Sequence, residues 1–116
     1  MAERLRCDFR SDSIPEERLP PRVQHELLRI AQEAISNAVR HARPTLLIVT
    51  LRWDPPNLIL QITDNGSGFS KARLEESDGV GLGSMRERAA QIDAKLEIKT
   101  AVGQGTSIIM TVPITR

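Results

Sequence analysis

The chain predicts a two-layer α+β sandwich: a mixed, mostly antiparallel sheet covered on one face by helices. Three observations carry this. The hydrophobic period switches between two and 3.6 residues in the order strand, long helix, two strands, loop, helix, two strands. The links within each later strand pair are short, which makes those neighbours antiparallel. With 116 residues, 40% apolar and 27% charged, the length suits one domain, 1–116, with one modest core.

Each element has its own signal. In RLRCDFR, 4 to 10, Leu5, Cys7 and Phe9 alternate with charged neighbours, which predicts a half-buried strand. SDSIPEERLP, 11 to 20, reads as a polar connector holding a helical turn begun by Ser13 and Glu16. Pro21 suits a first helical position, and the helix runs to about Ala42, where Arg43-Pro44 stops it. Val23, Leu27, Ala31, Ala34, Ile35, Ala38 and Ala42 form its apolar stripe. TLLIVTLRW (45 to 53) and NLILQIT (57 to 63) are strands joined by Asp54-Pro55-Pro56, whose prolines exclude regular pairing in the link. A second helix is expected from about Ser84, where Ser84-Met85-Arg86-Glu87 matches a capping box, with Met85, Ala89 and Ile92 inward. KLEIKT and TSIIMTVPI close the chain around the turn Gly103-Gln104-Gly105.

Composition excludes several functions. A formal net charge of +1 supplies no global field for nucleic acid or membrane. The aromatics are only Phe9, Trp53 and Phe69, too few for a base-stacking surface. Cys7 is alone, so no internal disulfide forms and a reducing compartment is expected. No apolar run reaches membrane-spanning length, and the first residues do not open a signal peptide.

Four stretches carry chemistry. In QEAISNAVRHA, 32 to 42, Glu33, Asn37 and His41 recur every four residues on one helix strip. By itself that strip reads best as solvated surface, although Asn is a mediocre helix former. DNGSG, 64 to 68, follows a strand directly; Asn65-Gly66 and Gly68 could simply supply positive φ for a turn. Asp64 at the strand end could instead accept a hydrogen bond from a planar amine such as adenine's, with Gly66 and Gly68 letting the ring approach. The spacing of GVGLG, 79 to 83, fits neither a dinucleotide fingerprint nor a Walker A loop. It remains a glycine-rich loop feeding a helix N-terminus, where backbone N–H groups favour an anion such as phosphate. GQGTS, 103 to 107, is a hairpin turn whose Thr106 hydroxyl could line a pocket beside Asp64.

Together, in this order, the stretches resemble the ATP-binding domain of sensor histidine kinases, in the superfamily shared with gyrase, Hsp90 and MutL. EAISNAVRHA looks like the N box, and DNGSG, GVGLG and GQGT like the three glycine boxes. LPPRVQHELLRIAQEAISNAVRHA and GVGLGSMRERA are similar to the subfamily whose kinases usually signal to helix-turn-helix response regulators. The resemblance implies ATP and Mg²⁺ as cofactors. It implies Asn37 as metal ligand, Glu33 as catalytic base or polariser, and Arg40 and His41 beside the phosphates. Asp64, with Thr106 assisting through water, would take the adenine amine. Gly79, Gly81, Leu82 and Gly83 would wrap the phosphates, and residues 69 to 83 would form a mobile lid.

The resemblance also implies partners. A histidine kinase needs a phosphorylatable histidine on a dimerising helical module, yet the only histidines, His25 and His41, fall within the ATP-domain helix. The chain is therefore expected to be the catalytic fragment of a larger cytoplasmic kinase, or of the cytoplasmic part of a membrane-bound sensor. It would donate phosphate to that module for relay to a response regulator, with no direct contact to nucleic acid or membrane. An anti-sigma-factor serine kinase, and a nucleotide-dependent interaction module without transferase activity, are the alternative readings.

Overall fold

The computed structural model describes residues 4–15, 19–68 and 82–114. Strand β1 (Arg6–Ser11) leads to helix α1 (Pro21–Asn37), which continues as a π-helical turn over Ala38–Ala42. Strands β2 (Leu46–Asp54) and β3 (Asn57–Asp64) follow, then helix α2 (Leu82–Gln91) and strands β4 (Lys95–Thr100) and β5 (Thr106–Pro113). The sheet order is β1-β2-β3-β5-β4. β1 lies parallel to β2 because α1 intervenes as a crossover, whereas the other three pairings are antiparallel. The predicted two-layer α+β sandwich is the observed one.

Period-two alternation sorts the sheet into an inner and an outer face. Leu58, Leu60, Ile62 and Asp64 of β3 and Thr106, Ile108, Met110 and Val112 of β5 are all buried. The apolar ones meet Leu27, Ile30 and Ala34 of α1, Ala38 of the π-helical turn, and Met85 and Ala89 of α2 in one core. Ile30, Leu47, Leu58, Met85 and Met110 are fully buried, each contributing about 1.5–3 kcal/mol. The alanines of α1 let its backbone settle close to the sheet. The two helices are tied by Arg88 Nη1 to Glu26 Oε1 at 3.2 Å. Ile30, which the expected stripe omits, is its most buried member, at 0% exposure.

Several local expectations are corrected. Leu5, Cys7 and Phe9 are exposed, Phe9 by 68%. Register puts Cys7 beside Leu47 and Phe9 beside Val49 on the inner face, but β1 is the outermost strand and α1 packs over β3. Asp54, expected in the link, is still paired with Asn57, so Pro55-Pro56 alone form the hairpin turn. Ser84 lies inside α2, which has already begun at Leu82, so it is no cap. Ser13 is not helical, and Glu16 lies outside the described residues.

Candidate active site

Three of the four motif stretches meet at one end of the sheet. The loop after β3 is stitched on three sides. Ser67 N–H donates to the Ala42 carbonyl at 2.9 Å, and Gly103 N–H to the Ser67 carbonyl at 2.6 Å. Asn65 Oδ1 accepts from the backbone N–H groups of Thr45 and Leu46, both at 2.9 Å. Its Nδ2 donates to Thr45 Oγ1, also at 2.9 Å. Neither Asn65 nor Gly66 has positive φ; among the described residues of this loop only Gly68, at +69°, does. Asn65 is thus a bracket holding the loop to the start of β2.

The glycines serve these contacts. A Cβ at Gly66 would run into the Ala42 carbonyl oxygen, and one at Gly68 into that of Ala101. At Gly105, where φ is +78°, a Cβ would strike the Asp64 carbonyl oxygen. Close approach of chain to chain therefore accounts for Gly66, Gly68 and Gly105 before any ligand is considered.

Asp64 closes β3 with its side chain on the buried face, directly opposite Thr106 of β5. Its Oδ1 accepts the Gly66 N–H at 2.7 Å. Burial raises its pKa above the usual 3.8, against the lowering effect of hydrogen bonds from the Gly66 and Thr106 backbones. Thr106 is buried, and its hydroxyl lies 2.8 Å from that of Thr100, which donates to the Gly105 carbonyl at 3.1 Å. A cleft of about 380 Å³ opens beside Asp64, Thr100 and Thr106 and reaches round to Thr63, Lys99 and Ser107. That volume is in the range of small-molecule pockets.

The helix carries further expected site residues, none of which lines that cleft. Asn37 is 4% exposed, and its Oδ1 accepts from Arg40 Nη2 at 3.2 Å. Glu33, one turn earlier, is half-buried with no hydrogen bond or ion pair to a described residue. Past Asn37 the backbone widens into the π-helical turn, which advances fewer degrees per residue than an α-helix. His41 is exposed, as is Arg40, whereas Asn37 is buried. Arg43, at φ 47°, then turns the chain into β2.

Gly79, Gly81 and the rest of the expected lid up to residue 81 lie outside the described residues. Leu82 opens α2, and Gly83 beside it is exposed with nothing near its Cβ direction. Sequence reasoning missed Thr100, whose place opposite Thr106 follows from the β4–β5 register across the Gly103 turn. It also missed the bracket role of Asn65, which had no signal separable from ordinary turn chemistry.

No group of three or more His, Cys, Asp or Glu gathers to hold a metal among the described residues. The available donor set is one amide oxygen, Asn37 Oδ1, with the Glu33 carboxylate on the preceding turn. It fits a hard cation that arrives with most of its oxygen ligands already supplied by phosphates and water. No described helix is long and apolar enough to cross a membrane.

A mixed five-stranded sheet, β1-β2-β3-β5-β4, covered by helices on one face sets the class of the chain as an α+β sandwich. The family model of the histidine kinase-, DNA gyrase B-, and HSP90-like ATPases matches residues 22–116, and the chain belongs to that family. It is 41% identical over 100 residues to the sensor protein VraS of Staphylococcus haemolyticus, covering 85% of this chain and 28% of that protein. It is 40% identical over 92 residues to the sensor histidine kinase LiaS of Bacillus subtilis, covering 79% of this chain and 25% of the relative. The chain thus spans about a quarter of the length of these curated relatives. The fold also matches the blue-light activated histidine kinase of Erythrobacter litoralis, with TM-score 0.75 and 17% identity over 93% of this chain and 37% of that one. The histidine kinase AdeS of Acinetobacter baumannii gives TM-score 0.75 and 16% identity over 99% of this chain and 56% of that one.

Proposed function

We propose that this domain binds ATP with Mg²⁺ and donates the γ-phosphoryl group to a histidine on a separate helical dimerisation module of the same kinase. The phosphate then passes to a response regulator in cytoplasmic two-component signalling. The observation that carries this reading is the buried carboxylate of Asp64, held where the end of the N-box helix, the DNGSG loop and the GQGT turn are hydrogen-bonded together. A carboxylate there has acceptor capacity beyond its two backbone donors and meets the adenine amine from a dry wall. Thr106 lies beside it.

Phosphoryl transfer asks a protein chiefly for positioning and charge neutralisation. Asn37 Oδ1 would hold the Mg²⁺, which when bound supplies charge neutralisation at the phosphates. Arg40 would reach the phosphates from the outer side, with His41 further along the same turn. Gly79, Gly81, Leu82 and Gly83 would close over them. The Glu33 carboxylate, without a partner among the described residues, would polarise or deprotonate the attacking imidazole. The γ-phosphorus bond to the bridging oxygen breaks as the bond to the imidazole nitrogen forms, and ADP leaves. His25 and His41 lie on the ATP-site helix itself, so the acceptor histidine is assigned to the separate module.

Calorimetry with ATP, with and without Mg²⁺, tests the binding half. Incubating the domain with ATP and the purified helical module tests the transfer half, read as acid-labile phosphohistidine. Binding without phosphohistidine overturns the kinase reading in favour of a nucleotide-dependent interaction module. Phosphoserine on an antagonist protein overturns it in favour of a serine kinase.

A further inference from the structure

Arg40 touches the oxygen assigned to the metal. Its Nη2 lies 3.2 Å from Asn37 Oδ1, and its Nε 3.5 Å from the Ser36 carbonyl. A guanidinium has donors only, so the atom of the Asn37 amide that faces it must be the oxygen. Asn37 is nearly buried whereas Arg40 is exposed and rides on the π-helical turn. One partner is fixed and the other is free to swing.

We infer that Arg40 is a resident cation on the Asn37 oxygen, and that it sets how strongly nucleotide binding depends on Mg²⁺. This deepens the proposed function and rests on it. An amide oxygen has two lone pairs, but two cations gathered on one oxygen repel each other strongly in a partly buried site. A metal arriving with ATP therefore displaces Arg40 from Asn37, and the released guanidinium turns to the phosphates. Without metal, Arg40 stays where the metal would be and offsets part of the triphosphate charge. The arginine thus competes with Mg²⁺ for its ligand and partly replaces it. Both effects compress the difference between metal-loaded and metal-free affinity.

The test compares ATP affinity by calorimetry in Mg²⁺ and in EDTA for the wild-type domain, Arg40→Ala and Arg40→Lys. Loss of one charge-assisted contact should lower the EDTA affinity of Arg40→Ala about tenfold. Its affinity in Mg²⁺ should also fall, but by less than in EDTA, because the lost phosphate contact is partly offset by the unopposed metal. The Mg²⁺ enhancement therefore grows several-fold, and Arg40→Lys, which keeps the charge, lies between. In the nucleotide-free protein, the side-chain amide resonance of Asn37 should move in Arg40→Ala. Tight Mg-ATP binding with equal enhancement in wild type and Arg40→Ala overturns the inference alone. Failure of the wild type to bind Mg-ATP at all overturns the proposed function and this inference with it.

Discussion

Asp64 is one residue on which stability and recognition pull apart. Its carboxylate accepts the backbone N–H groups of Gly66 and Thr106 and is nearly buried. Asp64→Ala leaves both donors without that acceptor in a dry site, at about 1–3 kcal/mol each. The expected loss is about 2–5 kcal/mol, or roughly 8–20 °C in Tm for a domain of this size. Asp64→Asn keeps one oxygen acceptor and should lose less than half of that. The charge acts in the opposite direction. Because burial raises the pKa above 3.8, the folded state binds the proton more tightly than the unfolded chain. The stabilising contribution of that proton is fully present below 3.8 and is lost as pH rises through the raised folded value. Acidification through that window should therefore stabilise the wild type relative to Asp64→Asn. Urea unfolding at a series of pH values, followed by the single, half-buried Trp53, measures both differences. In the binding arm, removing a charged acceptor should weaken ATP about 10–100-fold while leaving GTP nearly unchanged. Two results refute this reasoning: a wild type that loses ground to Asp64→Asn on acidification, or an Asp64→Ala variant that keeps the ATP-to-GTP preference.

Gly66→Ala and Gly105→Ala should each cost about 2–4 kcal/mol in thermal melts, since their Cβ atoms meet fixed backbone oxygens. Gly83→Ala, in the first turn of α2 with open space around it, should be neutral or stabilise by up to about 1 kcal/mol. Arg88→Met strands the Glu26 carboxylate, whose Oε2 already lacks a partner, and should cost about 2 kcal/mol after allowing for the partial exposure of Arg88. Replacing Glu26 by Leu in the same chain should recover most of that loss in urea titrations. Phe9→Ser should shift stability by no more than about 0.5 kcal/mol, because the ring is already 68% exposed.

Phe9 shows where reading from periodicity stops. Alternation in RLRCDFR correctly marks a strand and the face its apolar residues share. Whether that face is covered depends on which strand the helix lies over, and the long-range order β1-β2-β3-β5-β4 decides that. The Asn37 strip has the same limit from the other side. Glu33, Asn37 and His41 share one spacing, yet Glu33 is half-buried, Asn37 buried and His41 exposed. Ser84 could pass for a cap because a Ser three residues before Glu87 has the capping-box spacing inside a helix as well as at its start.

Local signals determined the elements, the position of most of their ends to within a residue or two, the two-layer class and the motif stretches of the family. Each of these rests on hydrophobic period, proline and glycine stereochemistry, or motif order, all short-range in sequence. Only the tertiary structure decided what those residues touch. Gly66, Gly68 and Gly105 are small because Ala42, Ala101 and Asp64 present their carbonyl oxygens there. Asp64 is a perturbed acid because β5 and the loop bury it. Asn37 shares its oxygen with Arg40 because burial fixes one side chain and solvent frees the other. Contact, burial and the pKa shift that follows from it belong to pairs of distant segments, and no single stretch of sequence contains them.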